Sequence, residues 1–306
     1  MVNTRVSAEK RHSRIARRNL INGLLFASPW IFGFIVFTAY PLIASMYYSC
    51  SAYSGLAAPK FIGLENYVQI FTQDDMFFKS LKNTMYMVVV ALPLGLIASL
   101  ALAMLLNQRV KGITVYRTIY YLPSLVPAVA SAILWMWLFN PEIGLFNVIL
   151  KSVGVTGPAW LGDPAWAKPA LVLMGLWGTG GGVIIYLAGL QDVPQSFYEA
   201  AELDGASAVS KFFNITLPMI SPIIFFNLVM GIIGSFQYFT QAYIMTHGGP
   251  QDSTNFYALH LFNSAFVDWN MGYASAMAWI LFVITLVCTL VVMKTSAKWV
   301  YYGGGD

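Results

Sequence analysis

Residues 198–222 read YEAAELDGASAVSKFFNITLPMISP, a polar run set between two strongly apolar segments. Its spacing is regular. Glu199, Ala200 and Ala201 are followed by three residues and then Gly205; nine more lead to Ile215, and Leu217-Pro218 closes the run. The pattern predicts two short helices joined by a turn. Ser196, three residues before Glu199, offers a capping box with Ser196 as N-cap. Ala200 and Ala201 are strong helix formers that leave a flat face poor in side chains. Asp204-Gly205 marks the turn, because glycine accepts backbone angles that other residues resist. Val209, Phe212, Phe213 and Leu217 recur at helical spacing as one apolar stripe. Pro218 falls where the next apolar segment starts, a place where a first helical turn tolerates proline. A protrusion with an apolar root and a small-residue tip fits a groove on another protein. The plainer alternative is a solvated linker with Glu199 as a helix cap.

The flanks of this run decide the class. Of 306 residues, 58% are hydrophobic and only 10% charged, whereas soluble domains carry about a quarter charged residues. A membrane span needs about 20 apolar residues. Six segments qualify, at about 21–43, 84–106, 114–139, 169–190, 217–239 and 271–293, and none holds an acidic or basic residue except Arg117, at an edge. The expected fold is all-α: a polytopic membrane protein of six transmembrane helices, with a cytoplasmic helix between the fourth and fifth. It divides into a basic, disordered or surface-lying segment (1–20), one membrane domain (21–295) and a tail (296–306).

Orientation follows from the basic residues. Arg5, Lys10, Arg11, Arg14, Arg17 and Arg18 crowd the first twenty positions. They precede an apolar run too long for a signal-peptide core. With the amino end inside, twelve basic residues lie on inner segments (Arg109, Lys111, Arg117, Lys211, Lys294 and Lys298 among them) and five on outer ones. The positive-inside rule therefore puts both termini, and the 191–216 loop, in the cytoplasm. Membrane orientation explains the net charge of +4 better than nucleic acid does. FIGLENYVQIF at 61–71 is amphipathic and suits a membrane surface. Residues 140–168, with Trp160 and Trp166, suit a surface cap. The cysteines, Cys50 and Cys288, offer neither a disulfide framework nor metal spacing.

Chemistry of the usual catalytic kinds finds little support. There is no phosphate-loop pattern. Gly178-Thr179-Gly180-Gly181-Gly182 lies inside an apolar span, where close packing or a local break explains it. Proton-driven carriers need ionisable groups within the spans, and these spans hold none, although sodium bound by backbone oxygens at a broken helix stays open. His12, His247 and His260 form no ligand pair. Neutral polar and aromatic residues do cluster: Asn227, Ser235, Gln237, Tyr238, Thr240, Gln241 and Tyr243. Amides and hydroxyls bond sugar hydroxyls, and aromatic rings cover the apolar faces of a sugar. Hydrogen-bond glue between helices is the alternative for each of them.

The Glu199 to Pro218 spacing resembles the EAA motif of the membrane subunits of bacterial binding-protein-dependent ABC importers. Glu199, Ala200, Ala201, Gly205, Ile215, Leu217 and Pro218 are all in register, and Asp204 before the glycine is also usual. Other segments resemble the carbohydrate branch, of the maltose and oligosaccharide type: FASPWIFGFIVFTAYP (26–41), FIGLENY (61–67), RTIYYLPSLVP (117–127), SFQYFTQAYIMTHGGP (235–250) and GYASA (272–276). The resemblance implies a permease, not an enzyme, in the bacterial cytoplasmic membrane. It works with a second permease subunit, two ATPases that carry the ATP and magnesium, and an external substrate-binding protein. This chain would bind membrane lipid and a sugar but no cofactor of its own, and the 199–218 residues would form the coupling helix on the ATPase. Glycerol phosphate is the alternative cargo. Two departures concern the path: His247 stands where the family usually has glycine, and Thr240 lies where aspartate is common nearby.

Overall fold

The computed structural model describes residues 2–108 and 110–302, with the side chains of residues 16–108 and 110–302. The side chains of Arg5, Lys10, Arg11 and Arg14, all of Arg109 and the tail residues 303–306 lie outside the described residues. In chain order the helices are α1 (Val2–Phe34), α2 (Tyr40–Ser49), α3 (Glu65–Thr72), α4 (Asp75–Tyr86), α5 (Leu92–Leu106), α6 (Ile113–Leu125), α7 (Ala128–Leu138), α8 (Leu145–Ser152) and α9 (Pro164–Trp177). There follow α10 (Gly180–Asp192), α11 (Gln195–Leu203), α12 (Ala208–Lys211), α13 (Leu217–Met219), α14 (Ser221–Phe236), α15 (Thr240–Met245), α16 (Tyr257–Phe266) and α17 (Met271–Ser296). Strands are confined to a two-residue antiparallel pair, β1 (Ser51–Ala52) with β2 (Lys60–Phe61).

Among the described residues, four helical runs are long and apolar enough to cross a membrane: Ala16–Ser49, Asp75–Leu106, Ser221–Met245 and Met271–Ser296. Two bent pairs, α6 with α7 and α9 with α10, raise the number to six if each pair is one span. The segment expected to span at 114–139 is bent: α6 and α7 meet at 98°. Proline is the cause. A residue before proline is pushed out of helical angles, and Val126 sits at φ −72°, ψ 128° before Pro127. The α9–α10 pair bends by 48° at Gly178-Thr179. Gly180 there lets α10 pass close, since an added Cβ would stand 2.6 Å from the Tyr120 carbonyl oxygen.

Prolines also set three wide turns, at Ile35–Ala39, Met87–Ala91 and Phe212–Thr216, each just before a helix with proline in its first turn (Pro41, Pro93, Pro218). A proline clashes with the carbonyl four residues back and donates no hydrogen bond to it. Widening the preceding turn relieves that clash without ending the helix. The basic start is helical rather than disordered: α1 runs on from Val2, and residues 2–20 are free of Gly and Pro and rich in helix formers.

Three apolar clusters hold the bundle. One, at its middle, joins Met87, Trp135, Phe139, Leu171, Met174, Met245 and Phe256. A second, at the end that carries α11, joins Leu106, Val183, Tyr186, Leu190 and Ile220. A third, at the opposite end, joins Ile70, Phe77, Tyr257, Tyr273 and Met277. The amphipathic α3 belongs to this third cluster: it packs on α17, with Asn66 buried and donating to the Ser49 and Ser51 carbonyls at 2.9 and 3.0 Å. Trp160, in the 140–168 segment, packs on the middle cluster and donates to Asn147 Oδ1 at 2.7 Å.

Candidate functional site

The 195–217 loop protrudes from one end of the bundle. Helix α11 starts at Gln195 after extended Pro194, with no side-chain cap. Ser196 is therefore inside the helix, which corrects its expected place as N-cap. Helix α12 does have a cap: Ser207 Oγ accepts from the Ser210 N–H at 3.2 Å. Between them Gly205 sits at φ +75°, where an added Cβ would meet nothing within 4 Å. Backbone angle, not space, requires glycine there. The Ala206 N–H donates to the Ala201 carbonyl at 2.8 Å and closes the end of α11.

Few bonds tie the protrusion down. The Tyr198 and Thr216 hydroxyls are 2.9 Å apart, and Lys211 donates to Glu202 at 2.7 Å. Tyr198, Ile215 and Met219 pack on the cluster below. Glu199, Ala200, Asp204 and Gly205 are exposed, Ala201 is half-buried, and so are Leu217 and Pro218. Leu203 is 90% exposed, and Phe197, Val209 and Phe213 are exposed too. The expected single apolar stripe is thus split: Val209 and Phe213 are exposed, whereas Phe212 and Leu217 are half-buried. Its outward half forms an apolar surface of the kind that marks interaction sites. Nearby, Arg117 donates through Nε and Nη2 to the Leu106 carbonyl at 3.2 and 2.9 Å, closing α5.

A second candidate lies in the middle. The break of α6–α7, the break of α9–α10 and the end of α14 converge on a hollow of about 250 Å³. Its walls include Ser124, Ser131, Trp177, Tyr238 and Gln241, and no charged residue. Of the five path residues expected from sequence, Tyr238 and Gln241 meet here. Gln237 is exposed beside it. Asn227 donates to the Ile223 carbonyl at 2.9 Å within its own helix. Tyr243 stacks on Phe239 at 5.3 Å, outside the hollow. Sequence reasoning missed Ser124, Ser131 and Trp177. The signal that finds them is the set of breakers beside them, Pro123, Pro127 and Gly178, since broken helices in membranes gather where a site is built.

The end opposite α11 is closed by residues 246–256, THGGPQDSTNF. Buried Asn83 donates to the Asp252 and Asn255 carbonyls at 2.8 and 3.1 Å and accepts from Lys168 at 3.1 Å. Lys79 pairs with Asp252 at 3.0 Å. His247 stands at φ +48°, a conformation for which glycine is the default. Beside this loop, Asp74 Oδ2 accepts from His260 Nε2 at 2.8 Å and from the Tyr273 hydroxyl, while Oδ1 caps α4 through the Phe77 N–H at 3.1 Å. Burial pushes the Asp74 carboxyl up, but the Tyr273 and His260 bonds, the His260 charge and the Phe77 N–H together hold it below the usual value.

With this geometry in place, comparison with known proteins is direct. Residues 91–300 match the family described as binding-protein-dependent transport system inner membrane component. The probable ABC transporter permease protein YesP of Bacillus subtilis is 45% identical over 294 residues, covering 95% of each chain. The trehalose/maltose transport system permease protein MalF of Thermococcus litoralis is 34% identical over 93% of this chain and 96% of its own. The lactose transport system permease protein LacF of Rhizobium radiobacter is 33% identical over 90% and 94%. A bacterial alginate ABC transporter solved with a periplasmic protein holding an alginate pentasaccharide shares the fold: TM-score 0.81 at 24% identity, over 94% of this chain and 96% of that one. The chain belongs to the family of inner membrane components of binding-protein-dependent transport systems. It is an ABC importer permease, a transport component and not an enzyme, and the systems of this family depend on a substrate-binding protein and an ATPase.

Proposed function

We propose that this permease admits a neutral sugar or oligosaccharide across the bacterial cytoplasmic membrane by alternating access. The chain crosses six times with both termini in the cytoplasm. It pairs with a second, homologous permease; two cytoplasmic ATPases and an external binding protein complete the importer. Glu199, Ala200, Ala201, Asp204, Gly205, Ile215, Leu217 and Pro218 form the coupling segment. The observation that carries this reading is the protrusion itself: an exposed apolar and small-residue tip on a root packed into the bundle. ATP and magnesium sit on the partner ATPase, whose closure pushes α11. The push reorients rigidly packed helices about the hollow between Tyr238, Gln241, Ser131 and Trp177. An uncharged lining of hydroxyls, an amide and aromatic rings favours a neutral sugar over an anion. The cargoes for which the two similar permeases are named, trehalose, maltose and lactose, support the same class.

The test is purification of the tagged chain from its native membrane in mild detergent, with uptake of labelled maltose, trehalose and lactose in vesicles. Co-purification of an ATPase, and uptake that stops when ATP is removed while the sodium gradient is held, is the expected result. Uptake that persists without ATP would point to an ion-driven carrier.

A further inference from the structure

The far end of α17 folds back on the bundle. Beyond Ser296 the chain turns, the Val300 N–H donating to the Ser296 carbonyl at 2.8 Å. The Tyr301 N–H then donates to Ser221 Oγ at 2.8 Å, and that hydroxyl donates to the Pro218 carbonyl at 2.6 Å. Trp299 meets the Phe225 ring edge-on, with centres 6.1 Å apart. Tyr301 and Tyr302 wall a hollow of about 340 Å³ whose other side includes Val193, Met219 and Pro222. These residues are the two roots of the coupling loop: Val193 leads into α11, and Met219 and Pro222 follow Leu217. The tail is therefore fastened to the second root at Ser221 and Phe225, and it faces the first root at Val193 across the hollow.

The other end of the same helix is held as well. The Gly272 N–H donates to the Tyr53 carbonyl at 2.9 Å. Tyr273 bonds Asp74, and the Tyr257 hydroxyl donates to the Met277 carbonyl at 2.8 Å. Between these anchors α17 runs 26 residues with no internal proline, about 39 Å at 1.5 Å per residue. A straight helix fixed at both ends passes a displacement on, because packed interiors yield little. One fixed at a single end slips.

We propose that α17 with residues 297–302 is a connecting rod, which carries the motion of the coupling loop to the closed end around Asp74 and residues 246–256. The proposal rests on the importer reading. Trp299 and Tyr301 are then positioning residues; neither touches sugar or nucleotide.

The test uses the assembled importer in lipid nanodiscs, with Cys50 and Cys288 changed to Ser and nitroxide labels at Ser152 and Phe266. The distance between the labels is compared before and after trapping with Mg·ATP and vanadate, alongside ATP hydrolysis. The unaltered chain should show a nucleotide-dependent change in distance. A stop in place of Trp299, and Trp299→Ala, should lose that change while the ATPase stays bound and active; Trp299→Phe, which keeps an aromatic ring on Phe225, should retain it. An unchanged response in the truncated chain overturns the rod, and so does joint loss of the ATPase and the response. No response in the unaltered chain would instead count against ATP-driven alternating access.

Discussion

The loop at 195–217 and the loop at 246–256 look alike on paper: both are polar, glycine-bearing and set beside apolar helices. In the folded chain they are opposites. The first leaves Leu203 and Val209 exposed and is braced by one surface ion pair and one hydroxyl pair. The second is sewn into the bundle by Asn83, Lys168 and Lys79, with Ser253, Thr254, Asn255 and Phe256 all buried. Exposed polar backbone is served by water, whereas buried polar backbone must find protein partners. An exposed loop therefore needs few internal bonds, and one buried against a bundle needs many.

This contrast can be broken at several points. The largest effect should come from Asn83→Ala, which strips partners from two buried carbonyls and from Lys168. It should lower stability by about 3 kcal/mol or more, read as a fall in Tm of the detergent-solubilised chain. Gly205→Val should do the reverse. The chain stays inserted and loses only about 1–2 kcal/mol to left-handed strain, yet ATPase capture and uptake fall by about a hundredfold, near 2.7 kcal/mol. Normal uptake in that variant would remove the coupling role.

Asp74→Asn tests the closed end by pH. The folded carboxyl titrates below its unfolded value, so its contribution is present above the unfolded pKa, about 3.9, and is lost as pH falls through the folded value. The unaltered chain should therefore keep this part of its stability from pH 7 down to about 4 and lose it in stronger acid. Asp74→Asn should be less stable at neutral pH, by about 2 kcal/mol, and lack that acid-dependent fall. Gln241→Leu should reduce uptake by about tenfold, near 1.4 kcal/mol, with ATPase capture intact. The smallest change belongs to Lys211→Ala: a pair with so exposed a partner carries about 0.5 kcal/mol, and a larger loss would mean that the coupling loop is stiffer than its exposure implies.

Legibility followed range. The turn and helices of the 195–217 loop could be read from the chain because their signals are local: a glycine that needs positive φ, a proline at a helix start, alanines at a tip. The Ser196 cap failed because the helix starts two residues sooner, with Pro194 at the N-cap position. The all-helical class was legible from apolar length alone. The bends were less so, since each apolar run around Val126-Pro127 and Gly178-Thr179 is continuous in hydropathy, and only its breakers betray the kink. Ser131 and Trp177 gave no sign of facing Tyr238, because nothing in a helix's own residues says which of its faces will meet a broken neighbour.

Sequence by itself determined the membrane class, the six apolar segments and the helix–turn–helix of the 195–217 loop, since hydropathy and turn chemistry act over a few residues. Tertiary structure alone decided where those helices break toward one another, which polar side chains share the central hollow, and how Asn83 and Asp74 gather three elements each. The contacts by which Asn83 and Asp74 gather those elements join residues 85 to 199 positions apart. They depend on the directions in which packed helices cross, a property of the assembled bundle that no short stretch of chain contains.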